Sequence, residues 1–259
     1  MEIRVGTSGW NYRHWRGVFY PRGLSPRHWL KYYAEYFDTV EVNATFYGTL
    51  RPQTLARWVA ETPEDFTFAV KAHRYLTHVK KLRGVEEALE RFYANIAPLH
   101  PKLGPVLFQL PPSLGYHPEV LESFLAILPR DFPVALEIRH ASFHQEDFLQ
   151  RLRRHGVALC LSDTAGRYPS LYPALTADWT YIRLHGSRRL YRSCYTSEEL
   201  AWWAEKIRDF GLKRVYVYFD NDSLGWAPEN ALRLKALLGL PTRPLPEEAQ
   251  AELARRPLD

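Results

Sequence analysis

Eight short runs rich in β-branched and aromatic residues recur along the chain, and their spacing constrains the fold more than any other feature. They cover residues 3–6, 39–43, 67–72, 106–110, 134–139, 158–162, 180–185 and 215–221. Successive runs begin about 30 residues apart on average, the length of one βαβ unit. Segments of helical period fill the intervals at 26–36, 53–61, 85–97, 118–128, 145–155 and 197–210, and another follows the last run at 228–238. After the sixth run the helical pattern is unclear, and residues 170–175 read as a short or broken turn. Two helix starts carry capping chemistry: Ser25 before Pro26, and Thr196 or Ser197 before Glu198 and Glu199. Eight units in 259 residues predict an α/β protein, a single-domain (β/α)8 TIM barrel of parallel strands over residues 1–239. Residues 240–259, with Pro and mixed charge, are expected as a C-terminal surface extension. An open doubly wound sheet is the alternative, but it more often has fewer strands and a Gly-rich first turn.

Several classes are excluded early. No run approaches the ~18 apolar residues of a membrane span, so no membrane partner is expected. The start, Met1-Glu2-Ile3-Arg4, lacks an apolar signal region, and a cytoplasmic location is expected. With Cys160 and Cys194 as the sole cysteines, a disulfide framework is out and two isolated thiols are expected. Arg outnumbers Lys 26 to 8, with five Asn and five Gln. Few labile amides suit a heat-loving source, although the Arg bias is poor support for one and fits a GC-rich genome equally.

The catalytic face of such a barrel lies at the C-terminal ends of its strands, and alternation tells which residues there point inward. Glu41 and Asn43 share a face, as do Glu137 and Arg139, and Arg183 and His185. Lys71, Gln109, Asp163 and the 220–222 run Asp-Asn-Asp end other strands, and His140 follows Arg139. Seven of the eight strands thus finish in an ionisable or amide side chain. A buried salt-bridge network that merely fixes the barrel is the structural alternative, although such networks stabilise weakly. Glu41, Glu137 and Asp163 balance Lys71, Arg139 and Arg183 in charge, so no metal or other cofactor is required. A divalent metal stays possible, because Glu, Asp and His are all usable ligands.

Positive charge concentrates in three loops on that face. Residues 10–22, 71–84 and 183–195 hold 12 of the 34 Lys and Arg and none of the 29 Asp and Glu. Aromatics interleave with them, including Trp10, Tyr12, Trp15, Phe19, Tyr20, Tyr75, Tyr191 and Tyr195. Cations with exposed rings suit phosphates and stacked bases; Trp15, Phe19 and Tyr20 would alternatively plug the barrel mouth, a reading preferred for Phe19.

These motifs resemble the bacterial and archaeal domain of unknown function 72 family. The resemblance is carried by Gly6-Thr7-Ser8-Gly9-Trp10 with Tyr12 and Trp15, Phe19-Tyr20-Pro21, Val40-Glu41-Val42-Asn43 and Thr45-Phe46-Tyr47. Further on it is carried by Phe68-Ala69-Val70-Lys71 with Thr77-His78, Gln109-Leu110-Pro111-Pro112, Glu137-Ile138-Arg139-His140, Asp163 and Tyr181-Ile182-Arg183-Leu184-His185-Gly186. Tyr191, Tyr195 and residues 216–222 complete it. Two positions depart from the family pattern: Phe143 stands where Trp is usual, and Asp220 where Asn is usual. The second adds negative charge at the site. The resemblance implies the barrel and supplies no reaction.

Function is therefore argued from the site. The first expectation is an enzyme, a hydrolase or lyase, acting on a small anionic, phosphorylated or nucleotide-like substrate. Glu41, Glu137, His185 and Asp163 are its candidate catalytic residues for general acid–base work. Asn43, Lys71, Gln109, Arg139, His140, Arg183, Trp10, Tyr191 and Asn221 are its candidate substrate-binding residues. A metal-dependent phosphodiesterase or nuclease, a non-catalytic nucleic-acid-binding protein and a glycosidase are the alternatives. Cys194, in a basic loop, is expected as a bystander. Substrate identity and oligomeric state are not legible.

Overall fold

The computed structural model describes residues 1–256. The eight runs become strands β1 (Glu2–Thr7), β2 (Thr39–Val42), β3 (Thr67–Lys71), β4 (Leu103–Gln109), β5 (Val134–Glu137), β6 (Ala158–Asp163), β7 (Trp179–Leu184) and β8 (Arg214–Phe219). Between and after them lie helices α1 (Trp29–Tyr33), α2 (Ala44–Tyr47), α3 (Pro52–Glu61), α4 (Glu86–Ile96), α5 (Pro118–Ala126), α6 (Glu146–His155), α7 (Ser197–Asp209), α8 (Trp226–Leu237) and α9 (Glu247–Ala254). Every strand from β2 to β8 pairs in parallel with the next, and β8 pairs with β1. This is the TIM barrel, with its helices outside.

The seam between β1 and β2 is closed differently from the others. A parallel bridge joins Ser8 to Glu41, and the Gly9 N–H donates to the Glu41 carbonyl at 2.8 Å. Below it the Tyr33 hydroxyl, from α1, accepts from the Thr7 N–H at 2.9 Å and donates to the Thr39 carbonyl at 3.0 Å. Gly6 is required here, because a Cβ at this position would run into the Thr39 carbonyl oxygen. A buried N–H needs a partner, and a helix side chain supplies it where the strands spread apart.

Alternation places two cores on the two sides of each strand. Ala69, Leu107, Ala135, Ala158, Cys160, Tyr181, Tyr216 and Tyr218 fill the barrel interior. The larger apolar cluster lies between strands and helices and includes Val5, Val40, Phe68, Phe108, Leu136, Leu161 and Ile182. Below the mouth these side chains pack the interior, where the Thr39 hydroxyl lies 2.7 Å from the Tyr218 hydroxyl.

One local expectation changes, and two further segments gain detail. The helix expected at 26–36 is split into a 3-10 turn, Pro26–His28, and the short α1. The span between β6 and β7 carries no helix; the Thr176 hydroxyl ties it down, accepting from the Leu159 N–H at 2.8 Å and donating to the Val157 carbonyl at 2.7 Å. The C-terminal segment folds into α9, with Leu245, Ala249 and Leu253 buried against the outer core.

Candidate functional site at the barrel mouth

Inward positions at the upper ends of β1, β2, β4, β5, β7 and β8 converge on one guanidinium. Arg183 is almost wholly buried and sits between two carboxylates, Glu41 and Glu137, both with 0% exposure. Its Nε donates to Glu41 Oε2 at 2.9 Å, and its Nη2 to Glu41 Oε1 at 2.8 Å. Its Nη1 donates to Glu137 Oε2 at 2.9 Å and to His185 Nε2 at 3.1 Å. Nη2 also reaches Ser8 Oγ at 3.2 Å and Asp220 Oδ2 at 3.5 Å. Protein acceptors thereby take up every N–H of Arg183.

The carboxylates are saturated in turn. Glu41 accepts from the Ser8 hydroxyl, from the Tyr181 hydroxyl at 2.6 Å and from Asn43 Nδ2 at 3.1 Å. Glu137 accepts from Gln109 Nε2 at 3.1 and 3.2 Å and from Arg139 Nε at 3.0 Å. Burial alone would raise both carboxyls. The Arg183 guanidinium and the hydroxyl donors override it at Glu41 and hold that group down to about 2. At Glu137, Arg139 and Arg183 do the same, and the group is held well below its ordinary value. Both are therefore fixed as carboxylates.

His185, also fully buried, presents Nε2 to Arg183 and so carries its ring proton on Nδ1. Nδ1 lies 2.8 Å from Asp220 Oδ2, with the carboxylate off the line of the ring N–H, so this is a close approach and not a formed hydrogen bond. Tyr191 stands edge-on over the His185 ring, with centroids 5.2 Å apart, and holds a left-handed backbone with φ 64°. That conformation is costly for a bulky residue.

Two cations form the rim. Arg139, just beyond β5, bonds Glu137 with Nε and lays its guanidinium over the Tyr168 ring at 4.5 Å. Lys71 closes β3 at 8% exposure, with Nζ 4.2 Å from the centre of the Phe46 ring. Desolvation, aided by Arg183, outweighs the attraction of Glu41, Glu137 and Asp220 and brings the Lys71 ammonium down to about 8.

Other expected residues stand elsewhere. Asp163 is one residue out of phase with the inward Ser162. It faces the outer side, bonding the Tyr195 hydroxyl at 2.9 Å and the Ala165 N–H at 3.1 Å. Asn221 is buried and ties the Ser193 carbonyl at 3.0 Å to Asn230 Oδ1 at 2.8 Å. Trp10 packs edge-on against Trp58 with centroids 4.7 Å apart, and Trp15, Phe19 and Tyr20 are buried with it in the outer core. His140 is exposed, its Nδ1 against the Ser142 hydroxyl at 2.8 Å. Cys194 is buried; burial drives its thiol up to about 11 despite a bond from Asn230. Ser8 and Tyr181, which the sequence offered only as parts of the family motifs and not as site residues, both donate to Glu41. The signal for Tyr181 was present, two residues before Arg183 on the same strand face.

Among the described residues, no group of three or more His, Cys, Asp or Glu side chains is arranged to hold a metal ion. Glu41, Glu137 and His185 converge on Arg183 instead. None of the helices among the described residues is long and apolar enough to cross a membrane.

The sequence profile of the family described as "Protein of unknown function DUF72" matches residues 4–254, nearly the whole barrel with α9. The chain belongs to the DUF72 family. It is 30% identical to UPF0759 protein YecE of Escherichia coli, over 88% of this chain and 89% of that protein. It is 28% identical to UPF0759 protein YunF of Bacillus subtilis, over 92% of this chain and 95% of that one. The crystal structure of a DUF72 family protein from Thermotoga maritima superposes with TM-score 0.83 at 33% identity, covering 92% of this chain and 100% of its own. This DUF72 chain therefore shares its barrel with a solved relative.

Proposed function

We propose that this DUF72 protein is an enzyme that takes a small anionic substrate at the barrel mouth and acts on it by general acid–base chemistry. One observation carries the reading. The floor of the mouth is a closed set of ion pairs, Glu41–Arg183–Glu137, whereas Lys71 and Arg139 stand above it at the rim. Arg183, fully engaged, is a positioning residue. Arg139, with the basic loops behind it, meets the anion, because a planar guanidinium suits carboxylate and phosphate. Glu41 and Glu137 stay ionised, so they serve as fixed charges and not as proton donors. Proton transfer falls to Lys71, while His185, its Nε2 taken by Arg183, helps to fix that guanidinium. Asp163, turned to the outer side, has no part in this scheme, and Tyr191 covers the site.

The glycosidase alternative needs open space between two carboxylates for the sugar and water, and Arg183 fills that space here. Isothermal titration at low salt with inorganic phosphate and with malonate tests the proposal. One-to-one binding is expected, weakened about tenfold or more by Arg139→Gln, as for loss of a charge-assisted contact. Equal affinity in wild type and Arg139→Gln, or no binding of either anion, would overturn it.

A further inference from the structure

Lys71 is built unlike a lysine placed to balance charge. A balancing lysine would sit against a carboxylate, yet among the described residues its Nζ makes no hydrogen bond and no ion pair within 4.0 Å. It rests instead on the face of Phe46, an almost buried ring on α2. The backbone is pinned to hold it there: the Thr45 hydroxyl donates to the Lys71 carbonyl at 2.7 Å. His78 packs edge-on against the same Phe46 ring, with centroids 5.0 Å apart. The nearby acids are already committed, Glu41, Glu137 and Asp220 all to Arg183. An amine desolvated against an aromatic ring and set among other cations is an activated nucleophile.

We propose that Lys71 is the reacting amine of a covalent site, its Nζ condensing with the carbonyl carbon of an aldehyde or ketone that also carries a carboxylate or phosphate. The Nζ lone pair forms the C–N bond as the carbonyl π pair moves onto oxygen. The carbonyl oxygen then leaves as water with the two amine protons, leaving an imine. No oxidant or reductant is consumed. The anionic group sits against Arg139, so the inference rests on the anion site proposed above and names its substrate class. The pKa of about 8 agrees with this geometry. It reflects desolvation first and then Arg183, set against Glu41, Glu137 and Asp220; His78, itself near Arg139 and Arg74, also faces it.

The experiment is reductive trapping on the full chain. Protein is incubated near pH 8 with pyruvate or with glyceraldehyde 3-phosphate, each with sodium cyanoborohydride, and the product is read by intact mass and peptide mapping. One saturable adduct at Lys71 is expected, absent in Lys71→Arg and reduced by Arg139→Gln. In wild type, peptide-resolved reductive methylation with formaldehyde should show Lys71 reacting with a midpoint near pH 8, ahead of exposed lysines such as Lys206. This check needs no variant to fold. Malonate binding without any Lys71 adduct from either carbonyl compound overturns the imine and leaves the anion site standing. Absence of both overturns the two together, and adducts spread over surface lysines with none at Lys71 also overturn the imine.

Discussion

Arg183 grips Glu41 through two of its nitrogens, Nε to Oε2 at 2.9 Å and Nη2 to Oε1 at 2.8 Å, inside a barrel that leaves Glu41 no exposure. Charges this deep are expensive to bury and more expensive to strand. Breaking a buried pair by removing one partner costs about 3–5 kcal/mol. Arg183→Met should therefore lower stability by that order in urea denaturation, since it strands Glu41 and leaves Glu137 paired with Arg139 alone. Replacing all three charges, as Arg183→Met with Glu41→Gln and Glu137→Gln, should recover part of the loss. A triple variant less stable than Arg183→Met alone would show that the pairs do not act as a unit.

The same grip sets the acid limb of stability. Glu41 falls from an ordinary 4.5 to about 2, and Glu137 is held well down too. A carboxyl with a lower pKa in the folded state binds fewer protons there than in the unfolded chain. Its stabilisation is complete above the unfolded value and is lost as pH falls toward the folded one. The urea midpoint should thus drop steadily from about pH 4.5 to about pH 2. Arg183→Met, already destabilised, should show a shallower slope over that window. Equal slopes in the two proteins would detach the acid limb from this cluster.

Both cysteines should be silent. Cys160 lies in the barrel interior and Cys194 under the mouth loop, and burial raises both thiols, Cys194 to about 11. The thiolate is the reactive form, so iodoacetamide at pH 8 should label neither in the native protein and both in urea. Rapid native labelling of Cys194 would mean that the loop above it opens readily.

The barrel was legible because parallel strands covered on both faces read as apolar runs at βαβ spacing. The polar strand ends were legible too, since period-two alternation puts Glu41 with Asn43 and Glu137 with Arg139 on the inner side. Parity also explains Asp163, which sits one residue from the inward Ser162 and so faces Tyr195 instead. Ser8 was hidden within a Gly-rich turn, and its role depends on the β1–β2 bridge, a contact between segments 33 residues apart. Nothing in the local sequence distinguishes Trp10, packed on Trp58, from an exposed stacking ring. Nor does charge counting reveal that Arg183 is spent on protein acceptors while Lys71 is not.

The mouth loop after β7 is held from below by an amide pair, and this gives the last prediction. Asn230 Oδ1 accepts from the Tyr195 N–H at 2.9 Å and from Asn221 Nδ2 at 2.8 Å, while Asn221 Nδ2 also reaches the Ser193 carbonyl at 3.0 Å. Above this anchor the loop carries Arg188, Arg189 and Arg192, all exposed, and the left-handed Tyr191 over His185. Asn230→Ala removes the shared acceptor and leaves buried donors without it, at a cost of about 1–3 kcal/mol each. The strain at Tyr191 persists only while its surroundings hold it. Limited trypsin digestion should therefore cut Asn230→Ala within residues 188–192 faster than wild type, with the barrel left intact. Anion binding should weaken in parallel, because Tyr191 would no longer be held over His185 at the mouth. Unchanged cleavage at those arginines would place the anchor of the loop elsewhere, in the Tyr195 hydroxyl that bonds the Gly186 N–H and Asp163.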